Sequence, residues 1–254
     1  MKKQDIHVPD EYKTQGNRAA KAKPVTLSAL AFAALVPIFA LAGPLLAEDA
    51  NHIQNTKVFS PDASIFGKGL DDWSAEWQKW FISIPASQNP AFDNGPCNTA
   101  QSGPVWFIPS GAGVTRNCTV PPDKILVITI INAECSSVEA PPFFGATAHA
   151  REECAETLID GVSTRSLQFT IDGVPVRNLS RYRVQSPQYH FSMPATDNVL
   201  GVTSGATSGL SVSDGYFLMV QLARGHHVVH FAASIVSGPG AGFSQDITYD
   251  FIQM

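Results

Sequence analysis

The segment DDWSAEWQKWFISI, residues 71–84, limits what this chain can fold into more than any other stretch. Trp73, Trp77, Trp80, Phe81 and Ile84 recur at i, i+4, i+7, i+8 and i+11, which places five large apolar groups on one helical stripe. Three of the chain's four tryptophans are spent there. Asp71 and Asp72 offer carboxylates to the backbone N–H groups and positive dipole of a helix start. Pro85 stops the helix, because the residue before a proline is pushed out of the α region. A stripe this apolar needs cover, and the rest of the chain reads as strands. The expectation is one amphipathic helix packed on a sheet, with the tryptophans inward and Glu76 and Lys79 outward. A sugar-stacking platform, including Trp106, is the competing use of these rings and requires them to be exposed.

Short alternating segments follow the helix. Residues 125–131 are apolar at six of seven positions and rich in β-branched side chains, the pattern of a central strand buried on both faces. Residues 132–160 read as irregular, with a helical turn near Arg151, Glu152, Glu153 and Glu156. Leu167, Phe169 and Ile171 alternate with polar residues before Asp172-Gly173, a hairpin signal, and Pro175 marks the returning strand as an edge. Tyr189, Phe191 and Met193 alternate likewise. Residues 203–215, rich in Gly and Ser, read as a mobile loop. Residues 216–223 and 226–236 read as a hairpin about Arg224-Gly225, and Ile247, Tyr249 and Phe251 mark the last strand. The fold expected is mainly β: an antiparallel β-sandwich or jelly roll with one N-terminal helix.

The amino terminus has its own logic. Six basic residues precede an apolar run over 25–47, and Ala40-Leu41-Ala42 or Leu45-Leu46-Ala47 supplies a small-residue cleavage site. Residues 1–47 are therefore an export signal with a polar extension, or an uncleaved anchor in the inner membrane through 25–47. Both place the remainder in the periplasm or outside the cell, because positive charge precedes the run and Glu48 and Asp49 follow it. Residues 48–70 read as a loose arm and 71–254 as one domain. Leaving out the six basic and three acidic residues before Ala42, 11 basic and 19 acidic residues remain, a net charge of −8. Such a chain gains nothing from phosphate contacts, which excludes nucleic acid as a partner and limits membrane contact to an uncleaved anchor.

Cys97, Cys118, Cys135 and Cys154 all lie in the exported part, and none forms C-x-x-C. An even count in an oxidising compartment reads as two disulfides. Of three pairings, Cys97–Cys118 and Cys135–Cys154 close loops of similar length, each worth about 3 kcal/mol by chain entropy.

Several segments resemble a family of exported bacterial proteins that carries no assigned activity. They are the tryptophan helix ending in Ile84-Pro85, SGPVWF at 102–107, CTVP at 118–121, RYRVQSP at 181–187 and GHHVVHF at 225–231. The glycine turn, histidine strand and final strand at the end are also similar to the close of immunoglobulin-like sandwiches. The resemblance implies export and a β fold, and no catalytic residue.

Local patterns weigh against chemistry. His226 and His230 on one strand face stand about 13 Å apart at ~3.3 Å per residue, too far to share a metal. Glu134, Glu139, Glu152, Glu153 and Glu156 crowd the Cys135–Cys154 loop and read as solvated loop acids. Ser204 and Ser208 fall outside a nucleophile-elbow pattern. Arg177, Arg181 and Arg183 form the main basic cluster, suited to gripping a carboxylate or sulfate, or to guarding a strand edge. The function expected is a non-enzymatic binding or envelope-associated module with no cofactor or metal and a glycan or protein partner. The alternative is an extracellular hydrolase of glycans, for which two acids facing each other at the floor of a cleft would speak.

Overall fold

The computed structural model describes residues 56–92, 96–111 and 115–254. The signal or anchor read over 1–47 lies outside the described residues, as does the first part of the arm. Among the described residues no helix is long and apolar enough to cross a membrane.

Among the described residues the fold is mainly β, with two α-helices and two mixed sheets. The first sheet is built on two long strands, β4 (Ile125–Ser136) and β9 (Ser208–Gln221). β1 (Lys57–Val58), β7 (Arg183–Gln185) and β8 (Tyr189–Ser192) also pair with β9, and β2 (Val105–Ile108) pairs with β4. The second sheet runs β3-β11-β10-β5-β6, formed by Thr115–Val120, Ser244–Gln253, Gly225–Ser234, Gln168–Ile171 and Val174–Pro175.

Each sheet contains one parallel pair, β2 with β4 and β3 with β11, so neither is the purely antiparallel sheet expected. The chain goes from β2 into the second sheet as β3 and returns as β4, so β2 and β4 point the same way without a helical crossover. Similarly, β9 and β10 are separated by only residues 222–224 but belong to different sheets, and the hairpin read there is a crossing between sheets. The hairpin about Asp172-Gly173 does form: both residues have positive φ, 52° and 76°, and β6 is the sheet edge.

Helix α1 (Leu70–Ser83) begins with Gly69 as N-cap, whose N–H donates to the Asp72 carboxylate at 3.3 Å. Glycine has no side chain to complete a reciprocal box, so Asp72 does the capping alone. Trp73, Trp77 and Trp80 are buried, and Glu76 turns toward Lys68 and Lys79 at 2.7 and 3.3 Å. The helix buries a second stripe as well. Ala75 and Ile82 pack with Tyr189, Phe191, Met193 and Val202, while Phe81, expected in the core, is partly buried between the two clusters and stacked on Trp77 at 5.2 Å. Leu126 to Ile131 of β4 are fully or almost fully buried, and both α1 and β10 pack against that sheet. The facing sheet contributes a row of stacked rings, Phe169, Phe231, Tyr249 and Phe251.

Three stretches are more ordered than their composition implies. Lys57–Val58 pairs with β9 and Phe59 is buried, so this part of the arm belongs to the sheet. Residues 208–215 are strand, and their small side chains reflect crowding. A Cβ on Gly209 would lie 2.7 Å from the Phe191 ring, and one on Gly215 would lie 2.5 Å from the Asn132 Cβ. Within 132–160, helix α2 (Ala148–Ile159) is capped by Thr147, whose hydroxyl accepts from the Ala150 N–H at 3.1 Å. Its inner face carries buried Arg151, bonded to the Gly145 carbonyl and to Gln188, which breaks the apolar periodicity a sequence reading relies on.

Trp77 is 1% exposed and meets Phe217 of β9 edge-on at 6.1 Å. Trp77→Ala is expected to lower unfolding free energy by about 3–5 kcal/mol, measured by urea denaturation.

Candidate functional site: a buried carboxyl pair beneath a cleft

The residues singled out for ligand binding do not converge. Arg177 is exposed, Arg181 pairs with Asp62 at 2.8 Å, and Arg183 is occupied by Asp214 and Asp160 at 2.8 and 2.7 Å. Burial raises the Asp214 carboxyl while Arg183 opposes the rise, so this arginine answers an internal charge. Trp106 is buried and donates its indole N–H to the Cys97 carbonyl at 3.1 Å, leaving no face for a sugar ring. The histidines are taken up likewise. His226 contacts Asp250, His230 contacts Asp246 at 2.8 Å, and buried His227 lies between Asp172 and the Ala223 carbonyl. Among the described residues no three His, Cys, Asp or Glu side chains form a group fit for a metal.

The polar convergence lies at the end of β4. Glu134 sits on the strand, and Glu139 follows in a turn tied back to it. The Ser136 hydroxyl accepts the N–H groups of Val138 and Glu139 at 3.3 and 3.2 Å, and Ser136 N–H donates to the Phe143 carbonyl at 2.9 Å. Gly145 N–H returns to the Ser136 carbonyl at 2.9 Å. Cys135–Cys154 joins the same strand to α2, and Cys97–Cys118 joins the loop after α1 to β3. These constraints bring the two carboxyls within hydrogen-bonding reach of each other.

Both acids are therefore unlike solvated loop acids. Burial, reinforced by the neighbouring Glu134, pushes the Glu139 carboxyl up to about 10 from an ordinary 4.5. Burial also raises Glu134, against hydrogen bonds from Glu139 and Ser211. Two carboxyls in contact cannot both ionise cheaply, so the pair keeps a proton at neutral pH. The Ser211 hydroxyl, on β9, lies against both the Glu134 carboxylate and the Cys135 carbonyl. Tyr189 stands opposite Ser211 on β8, buried, and its hydroxyl is held neutral far above its usual range by burial and the nearby acids.

A cleft of about 360 Å³ opens over Glu139. One wall is Val138, Pro141, Pro142 and Phe143, and the other runs from Leu200 to Ser204. Glu139 lines this cleft and Glu134 lies behind it. The Glu139 Oε2 is buried without a hydrogen-bond partner among the described residues. In contrast, Glu152, Glu153 and Glu156 sit on α2, two of them exposed, with His149 bridging to Glu153 at 3.3 Å. Sequence reading grouped all five acids by proximity in the chain. What separates them is the fold: Glu134 lies on β4 and Glu139 in the turn held by Ser136, whereas the other three lie on α2.

No protein-family model and no curated protein matches the chain. Among solved structures, the solution structure of Amebosin overlaps 56% of this chain and 97% of its own at 7% identity. Its TM-score of 0.17 is too low to carry any argument about fold or function.

The sign of the pH effect follows from the raised carboxyls. The folded protein holds a proton that the unfolded chain releases above about pH 4.5, so this pair's contribution is full below that pH and is lost as pH rises toward 10. Urea denaturation between about pH 5 and pH 9 is expected to show stability falling by at most about 1.4 kcal/mol per pH unit per proton. Glu139→Gln, which cannot ionise, is expected to flatten that slope.

Proposed function

We propose that the chain is an exported, non-enzymatic binding module of β-sandwich type, in the periplasm or outside the cell, whose cleft over Glu139 takes a neutral, hydroxyl-rich ligand such as a glycan. It would sit with the exported bacterial proteins that its tryptophan helix, SGPVWF and GHHVVHF segments resemble. Two disulfides and an acidic exported part support the compartment. The sandwich part is supported by residues of both sheets sharing one core.

The observation that carries the ligand assignment is the protonated acid at the floor of the cleft. A neutral carboxyl both donates and accepts, which suits hydroxyl groups, and Glu139 lines the cleft where such a ligand would sit. Phe143, exposed at the rim, and Pro141 and Pro142 beside it offer apolar surface to a sugar ring. Such a cleft gives no purchase to a polyanion.

The carboxyl pair also favours a second reading, hydrolysis of the same ligand, because two acids at one site are what glycosidases use. Their spacing argues against it. Retaining enzymes hold the two carboxyls about 5 Å apart and inverting ones farther, leaving room for a sugar or a water. Here the acids touch, and an acid near pKa 10 is a poor proton donor at neutral pH.

A glycan array on the oxidised protein, followed by titration calorimetry on the best ligand, tests both readings. Glu139→Gln is expected to keep affinity within about threefold, whereas Glu139→Leu and Phe143→Ala lose about tenfold or more. Release of shorter glycans by the wild type, abolished in Glu139→Gln, would establish the hydrolase instead.

A further inference from the structure

A second site emerges on β3, with a lining that shares no residue with the cleft over Glu139. Edge strands carry charges on the solvent side or pointing inward, either of which discourages further strand pairing. Here Arg116 faces inward, 7% exposed, beside Tyr249 of β11. Its guanidinium donates to the Pro90 carbonyl and, through Nη2 at 2.9 Å, to the Ala91 carbonyl. Gly111 closes over it: a Cβ there would lie 2.6 Å from Nη2. The guanidinium is thus fixed in place, while the Tyr249 hydroxyl is directed to the Pro109 carbonyl at 2.9 Å.

Those carbonyls satisfy some of the five N–H groups but bring no negative charge. Among the described residues no carboxylate pairs with Arg116, and its Nε is buried without a partner. The contrast with Arg183, which holds two aspartates, is direct. A buried cation without a counter-charge is unfavourable, and removing that penalty rewards any anion that can reach it. A cavity of about 260 Å³ adjoins Arg116, lined by Pro90, Cys97, Pro109, Thr115, Asn117 and Tyr249.

We infer that this cavity binds a small organic monocarboxylate, its carboxylate against Arg116 and its apolar body against Pro90, Pro109 and the Cys97–Cys118 disulfide. The charge count selects the ligand. Among the described residues Arg116 is the one cationic side chain in the lining, which matches a monoanion and leaves a phosphate dianion half-compensated. A planar guanidinium also fits a planar carboxylate. Pinning of the Pro90–Ala91 loop accounts for two of the arginine's hydrogen bonds, but not for the cavity or the uncompensated charge.

Benzoate, its neutral analogue benzamide, and inorganic phosphate are the probes, used on the full oxidised chain at neutral pH by thermal unfolding and titration calorimetry. The wild type is expected to show a saturable rise in Tm with benzoate, and affinity for benzamide and phosphate about tenfold or more weaker. Asn117→Trp fills the cavity from its exposed rim and is expected to leave the ligand-free Tm unchanged while removing the benzoate response. Arg116→Met should remove it too. No benzoate response, a benzamide or phosphate response as strong, or a benzoate response that survives Asn117→Trp would overturn the assignment. The wild-type comparison stands even if either variant fails to fold.

Discussion

The structure depends on what its tryptophans do with their indole N–H groups. Each of the four donates to a backbone carbonyl: Trp73 to Ile65, Trp77 to Ile108, Trp80 to Thr99 and Trp106 to Cys97, at 2.9–3.1 Å. The stripe on α1 is therefore both the apolar cover of the first sheet and a hydrogen-bond source for the segments packed against it. Cys97, held by Trp106, is in turn bonded to Cys118 on β3 and so reaches the second sheet. The helix's second stripe, Ala75 and Ile82, packs beneath Tyr189 and Phe191. Val138, Leu200 and Val202, which pack in the same cluster, line the proposed ligand cleft, so the tryptophan helix also backs that cleft.

The buried charges are handled in three different ways, and the differences carry the functional reading. Arg183 meets Asp214 and Asp160 directly, a pairing internal to the fold. Glu134 and Glu139 are brought together and avoid a double negative charge by retaining a proton. Arg116 has carbonyls but no carboxylate among the described residues. The first arrangement leaves nothing for a ligand. The second leaves an unused hydrogen-bonding oxygen under a cleft, and the third leaves a charge beside a cavity.

Much of the architecture was legible because burial leaves a periodic trace. The helix, the buried strand after Ile125, the Asp172-Gly173 hairpin and the two disulfides follow from spacing and turn chemistry. Strand partners left no such trace. Alternation tells which face is buried but not which sheet receives it, so the β9–β10 crossing and the two parallel pairs could not be read. Crowding disguised β9, since Gly209 and Gly215 look like loop glycines although they are small to admit Phe191 and Asn132. The candidate site was missed for a related reason. Glu134 and Glu139 resemble the exposed acids of α2 in composition, and only the turn locked by Ser136 folds them onto each other.

The central claim is that Glu134 and Glu139 act as a neutral hydrogen-bonding unit instead of a pair of surface charges. Carboxyl-carbon NMR of glutamate-labelled protein, titrated across pH with Glu139→Gln for assignment, reads this directly. The account predicts that the Glu139 carboxyl stays protonated through neutral pH and titrates near 10. A Glu139 carboxyl that is ionised at neutral pH, titrating near its ordinary 4.5, would contradict it.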